Sequence, residues 1–351
     1  MAPPAVYNPL MAAPPPPPVS RRLALPGFRL GHGSDTRGMT GVTVILCPEG
    51  AVAAAEVRGS ATGTRQFDSL VNPHHVATRV HGVVLSGGSG FGLAAADPVV
   101  ARLAARGAGF RTGFGVVPLV PTAILFDLAF GDPAARPGPE LVAAALAEAE
   151  AASAPGASEG GSGALIPIGS VGAGTGATVG KALGPERGMK GGFGFASLAV
   201  PGGPTVAAAV AVNAFGDVRD PDTGELLAGC RTAPDGLELA SAERELAALP
   251  PGAAHAWEGN TTLAVVMTDA ALSRLAASKV CQMAFAGLYR ALAPAVSLYD
   301  GDLVVTLARG EVAAHPNQVG VLAARAIERA IVAAVVEADG FGLLPAARDL
   351  G

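Results

Sequence analysis

The chain has 351 residues, half of them hydrophobic, which is enough to bury a large core as one domain or two. Its net charge of −5, without any dense cluster of Lys and Arg, argues against a nucleic-acid groove. The longest uncharged stretch, residues 191–216, contains the helix-breaking triplet Gly202-Gly203-Pro204, so we interpret it as buried strand and turn and predict no membrane span.

The N-terminal segment is rich in proline, with five prolines in a row at positions 14–18. It has neither the basic start nor the apolar centre of a signal peptide, so residues 1–22 are predicted to be a disordered tail. Ordered structure is expected from about Leu23 to the C-terminus, as a single domain. The cysteines (Cys47, Cys230 and Cys281) are widely spaced and form no CxxC motif, which indicates buried reduced thiols. A cytoplasmic location follows as the prediction.

Short apolar, β-branched runs alternate with helical patterns along the chain. Strands are predicted at residues 41–47, 81–86, 122–128, 205–213, 262–268 and 303–307. Helices are predicted at residues 92–105, 140–152, 270–291 and 319–338, the third opening after the N-cap pair Thr268-Asp269. Residues 154–163 form a Gly/Ser/Ala linker. Strands that are apolar on both faces indicate covered sheets, in a layered α/β or α+β architecture.

Several familiar motifs are present only in part. The run at 172–177 matches a dinucleotide fingerprint, but the glycines and proline that follow it exclude the required helix. Gly180-Lys181 resembles the end of a phosphate loop, but Ala182 stands where Ser or Thr is needed. The run Gly87-Gly88-Ser89-Gly90-Phe91-Gly92 is not a nucleophile elbow; we interpret it as a close-packed turn that offers backbone N–H groups to an oxyanion.

The histidines at 74, 75 and 81 have no carboxylate or Cys at ligand spacing beside them, so we predict no metal site. No other motif in the sequence indicates a cofactor.

A hydroxyl residue stands where a loop leads into a strand, in the context Glu258-Gly259-Asn260-Thr261-Thr262. Such a junction suits an N-terminal nucleophile, whose hydroxyl attacks the preceding carbonyl and whose freed α-amine then serves as the base. An α-amine has a pKa of about 8, which suits base chemistry near neutral pH. The alternative is that Thr-Thr simply begins a strand, because Thr is a good strand former.

Three other features favour the catalytic interpretation. The chain has only three lysines, and Lys181 and Lys190 both lie in a Gly-rich segment; we expect Lys181 to be semi-buried with a tunable pKa and Lys190 to occupy a turn. Asp300 and Asp302 stand two apart before a strand, on one face of the chain, so cations or donors must face them. Asn213 ends an apolar strand, where its amide can donate to an oxyanion.

At these residues the chain resembles the self-processing hydrolases that include the L-aminopeptidase/D-esterases, the β-peptidyl aminopeptidases and the 6-aminohexanoate (nylon) oligomer hydrolases. The resemblance is strongest in four blocks in the same order and spacing: HGVVLSGGSGFGLAAAD (81–97), GAGTGATVGKALGPERGMKGGFGFAS (172–197), AVAVNAFGD (209–217) and residues 259–302. It implies a four-layered α-β-β-α sandwich, cleavage after Asn260 into chains of 1–260 and 261–351, and homotetrameric assembly. It also implies Thr261 as nucleophile, Asn213 as oxyanion donor, and catalytic roles for Lys181, Asp300 and Asp302.

The resemblance also bears on substrate. Thr261, Lys181 and the two aspartates are similar to the nylon-oligomer branch, whereas aminopeptidases of the family typically have a Ser nucleophile and Ser-x-Glu in place of Asp300-Gly301-Asp302. Phe126 replaces a Tyr that often functions in the family. We therefore expect hydrolysis of linear amides such as 6-aminohexanoate oligomers. An aminopeptidase, an amino-acid acetyltransferase and a non-catalytic binding protein of the same fold remain the alternatives.

Overall fold

The computed structural model describes residues 18–151, 163–250 and 259–350. The proline-rich tail up to residue 17, the linker residues 154–162 and the loop residues 251–256 lie outside the described residues. The described chain starts just before a strand at Ser20–Leu23, so the expected boundary of the tail, at residue 22, falls within that strand.

The secondary structure alternates between strands and helices throughout the described residues. The strands are β1 (Ser20–Leu23), β2 (Arg29–Asp35), β3 (Thr40–Val57), β4 (Gly63–Arg65), β5 (Arg79–Ser86), β6 (Phe110–Thr112), β7 (Gly115–Val117), β8 (Thr122–Ile124), β9 (Ala164–Pro167), β10 (Thr178–Val179), β11 (Met189–Lys190), β12 (Gly192–Ala199), β13 (Thr205–Asn213), β14 (Asp217–Arg219), β15 (Leu226–Ala228), β16 (Thr261–Ala270), β17 (Leu292–Ala293) and β18 (Leu303–Val312). The helices are α1 (Asp68–Val71), α2 (Ala96–Ala105), α3 (Pro139–Ala151), α4 (Ala242–Ala247), α5 (Arg274–Ala291) and α6 (Pro316–Val336).

One large sheet forms the centre of the molecule, in the order β12-β13-β16-β18-β3-β5-β8-β4, with β2 also paired to β3. The long strand β3 belongs to both halves of this sheet. Its first residues pair with β2 and β5, and residues 52–57 pair with β18. Between the two parts the register shifts and Gly50 adopts a φ of 82°, a conformation that favours glycine. The sheet therefore folds over on itself into two layers.

The two layers enclose one core, and helices cover their outer faces. In β13 successive side chains point to opposite faces. Ala207, Ala209 and Ala211 face the core between the layers, while Val206, Val210 and Val212 pack with α5 and α6. On the opposite side, α2 and α3 pack against β3 and β5. Both faces of β13 are thus buried, which explains its uninterrupted apolar sequence. The expected α-β-β-α sandwich is confirmed.

Most predicted elements are present, with bounds that differ for identifiable reasons. Strand β13 has the predicted bounds. Strand β3 runs to Val57, ten residues further than predicted, because the alanine-rich second half has weak strand propensity but pairs with β18. Helix α5 begins at Arg274, so the predicted N-cap at Thr268-Asp269 is wrong: β16 continues to Ala270, and the Ser273 side chain caps the helix by accepting from the N–H of Ala276.

The three cysteines are buried and unpaired, as expected. Within the described ranges, no helix is both long enough and apolar enough to cross a membrane.

Candidate active site

Thr261 is the first residue of β16 and lies in the interior of the molecule. It pairs with Asn213, the last residue of β13, so the ends of the two strands meet at one point. Its side chain is only 2% exposed, and its hydroxyl donates to the carbonyl oxygen of Asn260, the residue immediately before it. The hydroxyl therefore lies against the peptide bond whose cleavage would free the Thr261 amine.

The Asn260–Thr261 peptide is held by backbone contacts with the loop before β18. The N–H of Asn260 donates to the carbonyl of Tyr299, and the N–H of Gly301 donates to the carbonyl of Asn260 at 2.9 Å. This local pairing extends the parallel alignment of β16 and β18 back into the two loops that precede them. The Asn260 side-chain amide is buried and has no hydrogen-bond partner among the described residues. The main chain thus fixes the position of the carbonyl.

Lys181 is buried beside Asn213. Its Nζ lies 3.0 Å from Oδ1 and 3.2 Å from the main-chain oxygen of Asn213, and 2.9 Å from the carbonyl oxygen of Thr178. The N–H of Thr178 also donates to Asn213 Oδ1, at 2.9 Å. Among the described residues no hydrogen bond joins Lys181 to Thr261 directly. Lys181 therefore contacts the residue that pairs with Thr261 across the sheet.

The amide nitrogen of Asn213 is already engaged. Its Nδ2 donates to the carbonyl oxygen of Phe126 at 3.1 Å. The Phe126 ring lies against Gly259, where an added Cβ would be 2.5 Å from the ring and where the φ of 116° also favours glycine. Phe126 thus packs beside the segment that leads to Asn260 and Thr261.

Asp300 and Asp302 are both buried and are faced by hydrogen-bond donors. Asp300 accepts from the main-chain N–H of Phe215 at 3.1 Å and from the N–H and hydroxyl of Ser297. Asp302 accepts from the N–H of Thr262 at 2.6 Å and from the N–H of Val296 at 2.9 Å. Because Thr262 follows Thr261 directly, Asp302 fixes the start of β16.

Burial shifts the titration of these groups toward neutral pH. It lowers the pKa of Lys181 to about 7, although the nearby charges of Asp300 and Asp127 oppose the shift. Burial also raises the pKa of Asp302, and the negative charge of Asp300 raises it further. The pKa of Asp300 is raised by burial as well, against its hydrogen bonds from Ser297 and Phe215. A lysine with this pKa is partly neutral at physiological pH and is able to accept a proton.

The structure corrects the expectation for Lys190. It lies in β11, fully buried, and its Nζ donates to the carbonyls of Gly174, Ala177 and Gly191 at 2.8–3.0 Å. Burial lowers its pKa to about 7. Lys190 thus binds together the Gly-rich segment that leads to Thr178, rather than occupying an exposed turn.

Sequence reasoning also missed Asp127, which follows Phe126 and is buried. It accepts from the N–H of Gly88 and from the hydroxyl of Thr40, each at 2.7 Å, and so anchors the Gly-rich turn after β5. Its position within the predicted strand 122–128 concealed this role; β8 in fact ends at Ile124. The sequence feature that could have revealed this role is the single aspartate in an otherwise apolar run, because a buried carboxylate requires hydrogen-bond donors.

The histidines do not converge. His81 is buried and its Nδ1 accepts from the N–H of Leu119, while His75 contacts Asp68 at the surface. In the described parts of the chain, no three or more His, Cys, Asp or Glu side chains are grouped so as to hold a metal ion. The run at 172–177 forms a single 3₁₀ turn followed by β10, without the helix that dinucleotide binding requires.

Solved structures of similar architecture identify the class of fold. An L-aminopeptidase D-Ala-esterase/amidase from Ochrobactrum anthropi, described as a variant of the Ntn-hydrolase fold, superimposes with a TM-score of 0.65 at 18% identity, covering 92% of this chain and 89% of that one. A β-aminopeptidase from Burkholderia sp. gives a TM-score of 0.61 at 21% identity, covering 94% and 90%. The fold is that of the N-terminal-nucleophile hydrolases.

Sequence comparison gives the family. Residues 24–343 match peptidase family S58, and the chain belongs to this family. An uncharacterized aminopeptidase of Mycobacterium leprae is 38% identical over 87% of this chain and 84% of its own length. A 6-aminohexanoate-oligomer endohydrolase of Kocuria sp. is 29% identical over 83% and 75%. The protein is therefore an enzyme of the hydrolase class, of a family that acts on peptides or amides.

Proposed function

We propose that this protein is an autoproteolytic amide hydrolase that cleaves its own Asn260–Thr261 bond and then uses Thr261 as its nucleophile. The observation that carries the proposal is the contact of the buried Thr261 hydroxyl with the carbonyl of Asn260. A hydroxyl in this position lies next to the peptide bond that it would attack.

In the cleavage step the Thr261 oxygen bonds to the carbonyl carbon of Asn260, and the bond from that carbon to the Thr261 nitrogen breaks. The hydroxyl proton passes to the departing nitrogen. The product is an ester between Asn260 and the Thr261 side chain, with a free α-amine. Water then hydrolyses the ester, leaving a carboxylate on Asn260 and a restored hydroxyl on Thr261.

In turnover the freed α-amine takes the hydroxyl proton as the Thr261 oxygen attacks the substrate amide. The proton then goes to the amine that leaves, and water hydrolyses the acyl-enzyme. Asn213 donates to the oxyanion through Nδ2, which exchanges its present partner, the Phe126 carbonyl, for the substrate oxygen. Lys181, Asp300 and Asp302 position Asn213 and the start of β16, and set the charge around the amine.

The substrates in this proposal are linear amides such as 6-aminohexanoate oligomers, supported by Thr261, Lys181 and the Asp300–Asp302 pair. A second candidate is removal of N-terminal residues from peptides, because relatives of 36–38% identity are named aminopeptidases, whereas the oligomer hydrolases are 28–29% identical. We further propose that the cleaved chains form heterodimers, that these assemble into a homotetramer, and that the enzyme is located in the cytoplasm.

The deciding experiment is intact-mass analysis of the purified protein with N-terminal sequencing of the smaller fragment. The proposal expects a fragment that begins Thr261-Thr262-Leu263, together with amide hydrolysis by the cleaved form. Thr261→Ala is expected to remain uncut and inactive, and Thr262→Ala serves as the matched control. A Thr261→Ala variant that is cleaved and active would refute the mechanism.

Product analysis separates the substrate classes. Internal cleavage of a blocked 6-aminohexanoate oligomer indicates an amidase, whereas release of single N-terminal residues only from unblocked peptides indicates an aminopeptidase. Preferential transfer of the acyl group to an added amino acid, rather than to water, would indicate an acetyltransferase-like activity.

A further inference from the structure

The carbonyl of Asn260 already accepts a main-chain hydrogen bond in the uncut chain. Resting on the self-cleavage proposed above, we infer that the Gly301 N–H stabilises the oxyanion formed on Asn260 during that cleavage. The Gly301 nitrogen lies 2.9 Å from this oxygen, within the range of distances that oxyanion donors occupy. The group touches a reacting atom directly.

Asn213 does not fill this role in the uncut chain. Its Nδ2 donates to the Phe126 carbonyl, and its Oδ1 accepts from Thr178 and Lys181. Among the described residues, the hydrogen bonds that reach the Asn260 oxygen come from Gly301 and from the attacking hydroxyl of Thr261. The donor for self-cleavage is therefore a main-chain amide, which no substitution other than proline removes.

A second segment supports this donor from behind. The N–H of Ala61 donates at 2.9 Å to the carbonyl of Asp300, which belongs to the same peptide unit as the Gly301 N–H. Hydrogen bonds in such a chain polarise one another, so the Ala61 contact strengthens the donor that faces Asn260. The N–H groups of Arg58 and Gly59 donate to the carbonyl of Asp302 at 3.1 and 3.0 Å, and so also hold the peptide that follows Asp302.

Both glycines in this arrangement are required by close packing. A Cβ on Gly59 would lie 2.1 Å from the nitrogen of Asp302 and 2.4 Å from the main-chain carbon of Gly301. These contacts are with backbone, which has no flexible end to move aside. A Cβ on Gly301 would lie 2.7 Å from the Thr261 hydroxyl oxygen. The loop can approach the cleavage point this closely only without side chains.

As the Thr261 oxygen adds to the Asn260 carbon, negative charge gathers on the Asn260 oxygen. The Gly301 N–H then makes a charge-assisted hydrogen bond, which is stronger than the one it makes to the neutral carbonyl. Loss of one oxyanion donor typically slows a reaction about 10²–10³-fold. The same loss is expected for self-cleavage here.

The direct test replaces Gly301 with glycolic acid by nonsense suppression, which substitutes a backbone ester oxygen for the N–H and adds no bulk. The precursor is captured early, and cleavage at Asn260–Thr261 is followed by intact mass. We expect cleavage about 10²–10³-fold slower than in wild type. The same ester at Gly113, an exposed glycine with no atom near its Cβ position, is the control and should cleave at the wild-type rate.

A second variant tests the same inference in case the protein with the ester at position 301 does not fold. A methyl on Gly59 would lie 2.1 Å from the nitrogen of Asp302, so Gly59→Ala must displace the Asp300–Asp302 backbone from its present position. This variant should slow cleavage, whereas Gly113→Ala should not. Hydroxylamine, which cleaves esters but not amides, should not restore the rate of Gly59→Ala, because ester formation is the impaired step.

The outcomes distinguish this inference from the proposed function. Wild-type cleavage in the glycolic acid variant, or recovery of Gly59→Ala with hydroxylamine, would overturn the role of Gly301 while self-cleavage itself stands. An uncut wild-type chain would instead refute the proposed function.

Discussion

Lys181 Nζ lies 3.0 Å from the side-chain oxygen of Asn213, the residue that pairs with Thr261 across the sheet. This contact couples the charge of a buried lysine to the orientation of an amide beside the proposed cleavage point. Because the lysine occupies the oxygen of the amide, the nitrogen is turned the other way, toward the Phe126 carbonyl. The amide therefore presents a donor at the end of β13.

Asn213→Asp should separate the accepting and donating functions of this side chain. Aspartate retains the oxygens that accept from Thr178 and Lys181 but lacks the N–H. Self-cleavage is expected to continue, because its donor is Gly301, while kcat on substrate falls about 10²–10³-fold for loss of the oxyanion donor. Steady-state kinetics of the cleaved variant measures this, with Asn72→Asp, an exposed residue, as the control. Unchanged kcat would exclude Asn213 as the oxyanion donor.

The pH dependence of self-cleavage should follow Lys181. In the precursor Thr261 has no free α-amine, so we expect neutral Lys181 to relay the hydroxyl proton of Thr261 to the departing nitrogen. The pKa of Lys181 is about 7, so this neutral form accumulates as the pH rises through 7. The cleavage rate is therefore expected to increase across this range in wild type. Lys181→Met should cleave slowly and lose the dependence.

Lys190→Met is the matched control for that profile, because Lys190 also has a pKa of about 7 but does not contact Asn213. Its cleavage rate should still increase through pH 7, whatever its absolute value. If the pH dependence of cleavage were lost in Lys190→Met but kept in Lys181→Met, the titrating group would be Lys190, and the prediction for Lys181 would be wrong.

Asp302→Asn should destabilise the start of β16. The carboxylate accepts N–H bonds from Thr262 and Val296, one on each oxygen. An amide can accept only one of them and points its own N–H group at the other, which costs about 1–3 kcal/mol for a buried unsatisfied group. Urea unfolding measures the loss. Asp220→Asn, in a turn at the surface where one oxygen accepts both N–H bonds, should change stability far less.

The stability of the protein above pH 7 should depend on Lys190. Its pKa is about 7 in the folded chain and about 10.4 in the unfolded chain, so between these values the unfolded state binds more protons. Folding is then favoured as the pH rises, by up to about 1.4 kcal/mol per pH unit. Lys190→Met should lose this increase between pH 7 and 10, and Lys279→Met, at the exposed face of α5, should keep it. Parallel slopes for the two variants would show that Lys190 is not buried as a neutral amine.

Local sequence patterns predicted the layered architecture and the bounds of β13. Alternation of side chains along a strand and the spacing of apolar residues in a helix are properties of neighbouring residues, so they can be read without a structure. The hydroxyl of Thr261 at a loop-to-strand junction, and the two aspartates before β18, were visible for the same reason. The cap of α5 was misplaced because β16 continues through Thr268-Asp269 to Ala270 by pairing with β18, so the helix begins later and is capped by Ser273.

Contacts between distant segments depended on the tertiary structure alone. No local pattern shows that Lys190 is buried under three carbonyls, that Asp127 holds Gly88, or that Gly301 donates to Asn260. Apart from the carbonyl of the neighbouring Gly191, each contact joins residues 13–41 positions apart, through the pairing of strands and the folding of β3 between the two layers. The amino-acid sequence by itself indicated the groups that are proposed to carry the chemistry. The tertiary structure decided their partners, because burial and strand register are set by the whole sheet and not by any one segment of it.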